Sequence, residues 1–236
     1  MWTREPTGAS GNLAGVKRVL SILAVLVLFG ALSGCSKLAS QPSSSDTGAE
    51  SSSAPRKVSE ETLVRKDNPR LTEGGKATLV EFMDFSCEAC GMLYPTMEEI
   101  RQEYGDQVTI VLRYFNTNHT NSMKAFQTAE AARAQGKFIE MYERLFETQA
   151  EWGESPDDME QRFFGYAQDL GLDMEKFRAD YASKKVADYI ESSQKDADEV
   201  GVSGTPTLFL DGSQFVIQTQ GDFARLKDEV RNAVEN

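Results

Sequence analysis

The segment Phe85-Ser86-Cys87-Glu88-Ala89-Cys90 places two cysteines either side of two other residues, between an apolar run and a helical pattern. The apolar run, Ala77 to Met83, predicts a buried strand, and residues 87–104 predict a helix that ends at Gly105. The first cysteine is therefore expected at a helix N-terminus, where free N–H groups and the helix dipole lower the pKa of a thiol. The second cysteine lies one turn further along, close enough to form a disulfide with the first.

The regions that follow predict an α/β domain. Residues 107–115 are rich in β-branched and aromatic side chains and predict a second strand, which a polar stretch follows. Apolar residues at helical spacing then predict helices over 122–135, 138–149, 159–170, 174–182 and 186–200. We therefore predict one domain over residues 58–236, with a helical insertion at about 116–200.

The last part of the sequence predicts a β-hairpin and a closing helix. Thr207 to Leu210 and Phe215 to Gln218 are expected to pair as strands around a turn at Asp211-Gly212. Asp222 is the expected N-cap of the closing helix, because a carboxylate can accept hydrogen bonds from the first N–H groups of a helix.

Three features of the sequence together resemble the thioredoxin superfamily, and specifically its DsbA-like thiol:disulfide oxidoreductases. The Cys87-to-Cys90 segment looks like the family's active-site segment, and Glu81 stands where the family carries a buried acid. Val202-Ser203-Gly204-Thr205-Pro206-Thr207 is similar to the segment that holds the family's cis-proline. The resemblance covers residues 75–236 and implies an α/β thioredoxin-like fold, with thiol–disulfide exchange at the two cysteines as its activity.

Glu81 and Pro206 each have both an ordinary interpretation and a functional one. A carboxylate inside an otherwise apolar strand is costly to bury, so Glu81 is either an acid of an edge strand or a group with a raised pKa that relays protons to Cys90. The sequence alone favours a trans bond before Pro206, since cis bonds are uncommon even at proline. The resemblance implies the cis form, with the Thr205 backbone offered to an extended substrate as an added strand.

The residues between the cysteines depart from the family, which commonly has Pro, Gly, His or Tyr there. In this chain they are Glu88 and Ala89, and a carboxylate beside Cys87 disfavours its thiolate. A less stable thiolate makes a less oxidising couple, so we expect a potential more reducing than the value of about −120 mV for DsbA. The resemblance and an oxidising compartment favour disulfide formation, with reduction or isomerisation as the alternative.

The cysteine pair could also bind a metal or form an inert disulfide. A zinc site would need further ligands, and the chain offers only one other cysteine, Cys35, and one histidine, His119. A purely structural disulfide that closes so short a loop would gain little from loop entropy. We therefore expect no metal and no cofactor, and we keep a non-catalytic binding or metal-delivery protein on a thioredoxin-like scaffold as the alternative.

The N-terminus resembles the leader of a bacterial lipoprotein. Its apolar run, Val19 to Ala31, is too short to span a bilayer comfortably and fits the apolar region of a secretory signal. Leu32-Ser33-Gly34-Cys35 resembles a lipobox, which implies a signal peptide over residues 1–34 and a lipid on Cys35. Serine-rich residues 35–57 predict a flexible tether. We therefore expect a domain anchored on the extracytoplasmic side of the cell membrane.

The charge of the chain bears on its partners. The 236 residues carry a formal net charge of −12, and residues 1–34 hold three basic and one acidic side chains, so the chain without them carries −14. Such a chain lacks the basic surface that binding to phosphates requires, which excludes nucleic acid as an expected partner. The expected partners are exported proteins with thiols or disulfides, the membrane through the lipid on Cys35, and a membrane redox partner.

Overall fold

The computed structural model describes residues 56–236. The predicted signal peptide over 1–34 and the predicted lipidation site Cys35 lie outside the described residues, as does the predicted tether except for its last two positions. In the part of the chain that is described, no helix has both the length and the apolar character needed to cross a bilayer.

A mixed five-stranded sheet forms the centre of the domain. Its strands are β1 (Arg70–Glu73), β2 (Ala77–Met83), β3 (Val108–Tyr114), β4 (Thr207–Leu210) and β5 (Ser213–Phe215). They lie in the order β1-β3-β2-β4-β5, with β2 and β3 parallel and all other neighbours antiparallel. The parallel pair needs a crossover between its strands, and a helix that begins immediately after Cys87 supplies it.

Helices cover the sheet, and a group of them separates strands β1 to β3 from strands β4 and β5 in the sequence. They are α1 (Glu60–Leu63), α2 (Glu88–Tyr104), α3 (Ser122–Arg133), α4 (Phe138–Glu147), a 3-10 turn (Gln149–Glu151), α5 (Glu160–Asp169), α6 (Met174–Tyr181), α7 (Lys184–Glu199) and α8 (Gly221–Glu235). Helices α3 to α7 lie between β3 and β4 in the sequence, where the helical insertion was predicted.

The two faces of the sheet bury different sets of side chains, because successive residues of a strand point to opposite faces. Leu79 and Met83 of β2 pack in the larger cluster, which includes Cys90 and side chains of the insertion helices and α8. Val80 and Phe82 pack on the other face in a smaller cluster with Leu63. The alternation places Glu81 on the same face as Leu79 and Met83, which is the face that Cys90 packs against.

A buried ion pair ties helix α7 to the smaller cluster. The guanidinium of Arg113, which is fully buried, pairs with Asp196 and lies 5.2 Å from the centre of the Phe82 ring. Its Nη1 atom also donates to the backbone carbonyl of Leu63 at 2.6 Å. These contacts fix α7 and the segment around α1 to the sheet, since an unpaired charge in this position would be strongly destabilising.

Three details differ from the prediction. The hairpin's second strand is β5, not Phe215 to Gln218, because the left-handed turn at Asp211 (φ 47°) and Gly212 (φ 77°) is immediately followed by pairing of Ser213 with Leu210. The N-cap of α8 is Gln220, and the Asp222 carboxylate instead accepts from the backbone N–H groups of the preceding loop. Strand β1 was not predicted, because its four residues are too few for a clear alternating pattern.

Candidate active site

Cys87 is the N-cap residue of α2, with an extended backbone (φ −73°, ψ 120°). A tight turn precedes it, in which the Cys87 N–H donates to the carbonyl of Asp84 at 3.0 Å, and we call residues 84–87 the active-site turn. The first turn of α2 follows, with the Gly91 N–H donating to the carbonyl of Cys87 at 3.1 Å. Both cysteines are free thiols, Cys87 half-buried and Cys90 only 1% exposed.

The surroundings of Cys87 stabilise its thiolate. Its pKa is lowered to about 6, and the largest cause is a hydrogen bond from the Cys90 thiol. Thr205 and the backbone N–H groups of Ala89 and Cys90 lower it further, whereas burial acts in the opposite direction. The N–H groups at the start of α2 therefore contribute as expected, and the thiol one turn away contributes more.

The Thr205–Pro206 segment lies against this thiol. Strand β4 pairs with β2 so that Thr207 lies opposite Phe82. The residues before Thr207 therefore continue past the end of β2, towards the active-site turn. The Sγ atom of Cys87 lies 3.4 Å from the carbonyl oxygen of Thr205 and donates to it. The Thr205–Pro206 peptide bond is cis, the form that the resemblance implies. The Thr205 hydroxyl is buried and has no hydrogen-bond partner among the described residues, so it is free to donate to the Cys87 thiolate once the thiol proton has left.

Cys90 and Glu81 form the buried side of the site. Burial raises the pKa of Glu81 to about 8, and the nearby charge of Cys87 adds to the effect. Burial also raises the pKa of Cys90 well above that of an ordinary thiol, and the Glu81 charge contributes to that rise. Because β2 is the central strand of the sheet, Glu81 is not the acid of an edge strand. At neutral pH the site therefore holds one accessible thiolate, one buried thiol and one buried carboxylic acid.

Two of the predicted site residues differ in their access to solvent. The side chain of Glu88 is exposed, while Ala89 is half-buried in the first turn of α2. His119 lies in the loop before α3, where its Nδ1 atom is 3.5 Å from the Glu154 carboxylate. The structure therefore brings Glu81, Cys90 and Thr205 together around Cys87, and it leaves the Glu88 carboxylate in solvent.

A buried carboxylate holds the active-site turn from one side. Asp84 is fully buried, and one of its oxygens accepts from the Ser86 N–H at 2.9 Å. The other oxygen accepts from the Thr117 N–H at 2.9 Å, the Thr117 hydroxyl at 2.6 Å and the Ser122 hydroxyl at 2.7 Å. Asp84 thus connects the turn to the loop between β3 and α3 and to the first residue of α3.

A glutamine from the insertion holds the same turn from the other side. The Nε2 atom of Gln149 donates to the carbonyl oxygens of Phe85 and Cys87, both at 2.8 Å. Gln149 is more than sixty residues away from the turn in sequence. The turn that presents the Cys87 thiol is therefore anchored both by its own loop and by the helical insertion.

A protein-family model described as thioredoxin matches residues 72–230, which is well over half of the chain. The chain belongs to the thioredoxin family. The match covers all the residues of the site just described and most of the sheet. It confirms the predicted α/β thioredoxin-like fold.

Solved structures that resemble this thioredoxin-family chain include a thioredoxin-like oxidoreductase and DsbA proteins. A thioredoxin-like oxidoreductase from Silicibacter pomeroyi DSS-3 is similar at 25% identity with a TM-score of 0.61, covering 74% of this chain and 99% of its own. The α-DsbA1 protein of Wolbachia pipientis has the same fold at 15% identity and a TM-score of 0.61, covering 73% and 96%. The chain therefore shares the thioredoxin-like fold of DsbA proteins, and the neighbour at 25% identity is described as an oxidoreductase.

A curated relative bears a different name. The Na(+)/H(+) antiporter NhaA 1 of Mycobacterium sp. (strain KMS) is 34% identical over 163 residues, which are 65% of this chain and 25% of the antiporter. The thioredoxin-family chain therefore spans about a quarter of the length of the curated relatives it matches.

The sequence analysis singled out Cys87, Cys90, Glu81 and Thr205, which the structure of this thioredoxin-family chain brings together, but it did not single out Asp84 and Gln149, which hydrogen-bond to the active-site turn. Asp84 offered a usable signal, because an acid directly after a buried strand and three residues before a helix N-cap favours a turn. Gln149 offered none, because a polar residue at the end of a predicted helix is ordinary. Only the packing of the insertion against the active-site turn reveals its role.

Proposed function

We propose that this protein forms disulfides in exported proteins through exchange at Cys87 and Cys90. The observation that carries the proposal is the unequal pair of thiols: Cys87 is accessible and has a pKa of about 6, whereas Cys90 is buried and its pKa is raised. An accessible sulfur with a low pKa is a good leaving group, and a buried partner is protected from competing attack.

The oxidising reaction starts from the Cys87–Cys90 disulfide. A substrate thiolate attacks the Cys87 sulfur, which forms a mixed disulfide and expels Cys90 as a thiolate. A second thiolate of the substrate then attacks the substrate sulfur of the mixed disulfide and expels the Cys87 thiolate. The substrate has lost two electrons and the enzyme has gained two, so a further round needs an external disulfide or a membrane redox partner as oxidant.

Glu81 is the proposed proton relay for Cys90. A thiolate left at Cys90 is unfavourable, because burial raises the pKa of that thiol. The carboxylic acid of Glu81, with a pKa of about 8, is protonated at neutral pH and lies on the same face of the sheet. Protonation of Cys90 through Glu81 prevents it from attacking the mixed disulfide again, which favours release of the oxidised substrate.

Thr205 and Pro206 are the proposed substrate-binding residues. The carbonyl of Thr205 already contacts the Cys87 sulfur, so a substrate sulfur bound to Cys87 would lie beside this backbone. An extended substrate segment can then pair with the backbone at Thr205 and orient its own sulfur. Backbone pairing of this kind accepts many sequences, which suits an enzyme that acts on exported proteins in general.

The anchor is a separate part of the proposal. The lipobox-like sequence supports lipidation of Cys35, and the serine-rich residues 35–57 support a tether that keeps the domain near the extracytoplasmic membrane surface. Fractionation of cells that express the full chain tests this part. We expect the protein in the membrane fraction and much less of the Cys35→Ser variant there; equal membrane binding of the two would contradict a lipid on Cys35.

The activity is tested by incubating the oxidised protein with a reduced, unfolded protein that contains two cysteines. We expect stoichiometric disulfide formation in the substrate and none with the Cys87→Ser variant. With a substrate that already contains a disulfide, we expect the Cys87 thiolate of Cys90→Ser to attack that disulfide, release one substrate thiolate and remain as a mixed disulfide, because no Cys90 thiol is present to resolve it. Failure of the oxidised protein to transfer its disulfide would contradict the proposal.

Disulfide reduction is the second candidate, and one observation favours it. A pKa of about 6 for Cys87 lies nearer to the value of about 7 in thioredoxin than to that of about 3.5 in DsbA. Reduction of insulin by the dithiol form, faster than oxidation of the reduced peptide by the disulfide form, would favour this direction. Inactivity in both assays would contradict both enzymatic directions, and metal binding that Cys87→Ser abolishes would favour a non-catalytic binding or metal-delivery protein.

A further inference from the structure

We propose that Gln149 is a positioning residue for Cys87, and that Gly91 is the residue that leaves room for it. The proposal rests on thiol–disulfide exchange at Cys87. Gln149 touches neither sulfur. It acts on the backbone that carries one of them, through hydrogen bonds from its side-chain amide to the carbonyls of Phe85 and Cys87.

The hydrogen bonds of Gln149 use the donor capacity of its amide in full. Nε2 carries two hydrogens, and each has one acceptor, at 2.8 Å in both cases. The carbonyl of Cys87 also accepts the Gly91 N–H of α2. The amide therefore holds the active-site turn at the point where it meets the first turn of α2. Its hydrogens also offset the partial negative charge of two carbonyls close to the Cys87 sulfur.

The backbone of Gln149 is itself held in place. Its carbonyl accepts from the N–H groups of Trp152 at 3.1 Å and Gly153 at 2.7 Å. Trp152 is fully buried, and its indole N–H donates to the carbonyl of Leu145 at 3.2 Å. The side chain thus extends from a fixed point in the helical insertion to the active-site turn.

Gly91 completes the arrangement from the helix. A Cβ atom at position 91 would lie 1.9 Å from Oε1 of Gln149 and 2.7 Å from its Cδ. The glutamine amide therefore occupies the space that any other residue at this position would need. Glycine in a helix interior is unfavourable by about 1 kcal/mol relative to alanine, so its presence in the first turns of α2 has this packing as its reason.

These contacts make two substitutions equivalent in their effect. Gln149→Ala removes the amide, and Gly91→Ala displaces it, because a flexible side-chain end moves more easily than the helix backbone. In both variants the active-site turn keeps its anchor at Asp84 but loses the one at Gln149, so Cys87 is oriented less precisely towards the Cys90 thiol and the N–H groups of α2. We expect the pKa of Cys87 to rise by about half a unit in each, which corresponds to about a threefold change in the thiolate equilibrium.

The experiment measures the Cys87 pKa from thiolate absorbance against pH, and the exchange equilibrium with glutathione, in the full chain. Gly165→Ala and Gln168→Ala are matched controls, because position 165 is helical with open space for a Cβ and Gln168 is exposed on the same helix. We expect the controls to match wild type. We expect the double variant Gly91→Ala/Gln149→Ala to shift the Cys87 pKa no further than either single variant.

The outcomes separate this proposal from the proposed function. If wild type exchanges disulfides and both Gln149→Ala and Gly91→Ala keep its Cys87 pKa and exchange equilibrium, the positioning role is wrong. Additive effects in the double variant would also overturn it. If wild type itself does not exchange disulfides, the proposed function fails. Circular dichroism checks folding, and Gly91→Ala, which gains helix propensity, provides the test should Gln149→Ala unfold.

Discussion

The Cys87 thiol donates to the backbone carbonyl of Thr205 at 3.4 Å, which joins two residues that lie 118 positions apart in the sequence. The contact exists because β4 pairs with β2, the strand that leads into the active-site turn. When the thiol loses its proton it can no longer donate, and the Thr205 hydroxyl, which has no hydrogen-bond partner within residues 56–236, can then donate to the sulfur. One residue therefore faces Cys87 with a group suited to each protonation state.

Removing that hydroxyl tests its role. In Thr205→Val we expect the pKa of Cys87 to rise by about half to one unit, because the thiolate loses one hydrogen-bond donor while the thiol keeps its acceptor. Thiolate absorbance against pH measures the change, with the exposed Thr120→Val as control. A Cys87 pKa unchanged in Thr205→Val would mean that the hydroxyl does not reach the thiolate.

Glu81→Gln tests the buried acid through the pH dependence of folding. The folded-state pKa of Glu81, about 8, lies above the ordinary value of 4.5. The folded state therefore binds more protons than the unfolded state between these values, and the contribution of Glu81 to stability is present below pH 4.5 and lost as the pH rises towards 8.

The glutamine side chain cannot ionise. The free energy of unfolding of Glu81→Gln, relative to that of wild type, should therefore increase as the pH rises over this range, by more than about 1 kcal/mol at about pH 8. Urea unfolding of both proteins in a Cys87→Ser background at several pH values measures the difference, because the charge of Cys87 otherwise acts on Glu81. A difference that stays constant with pH would show that the pKa of Glu81 is not raised.

Glu88→Gln tests the residue between the cysteines. Removing a carboxylate beside Cys87 should favour the thiolate, lower the pKa of Cys87 and make the potential less negative. Because Glu88 is exposed, solvent and salt screen its charge, and the shift should be below about half a pKa unit. Titration at low and moderate salt measures it, with the exposed Glu147→Gln as control. An unchanged Cys87 pKa at low salt would remove Glu88 from the account.

Asp84→Asn tests the support of the active-site turn. An amide cannot replace the carboxylate oxygen that accepts from Thr117 and Ser122, so we expect a loss of about 2 kcal/mol in the free energy of unfolding. Asp106→Asn, at an exposed position, is the control. Urea unfolding measures both, and equal stability of the two variants would show that the buried hydrogen bonds of Asp84 do not hold the turn.

The sequence predicted where the two cysteines and Glu81 lie because each of them stands next to or within a recognisable element. The apolar run before Cys87 and the helical pattern after it predict a thiol at a helix N-terminus, which the structure shows. The isolated charge of Glu81 within its strand likewise predicted burial.

Tertiary packing decided what the sequence could not predict. The contact of Gln149 with the Cys87 carbonyl depends on how the insertion folds back over the active-site turn, and no local pattern encodes that geometry. The position of Asp222 shows a related limit. Its residue type suits an N-cap, but the N-cap of the helix is Gln220, two residues earlier, and the Asp222 carboxylate accepts from N–H groups of the preceding loop instead.

The redox equilibrium of the purified chain with glutathione tests the central claim most directly. We predict a single two-electron transition between the dithiol and the disulfide of Cys87 and Cys90, with a potential more negative than about −120 mV, and no such transition in Cys87→Ser. Cysteines that stay reduced across the whole glutathione range, or an identical transition in Cys87→Ser, would contradict the claim that this pair is the redox centre.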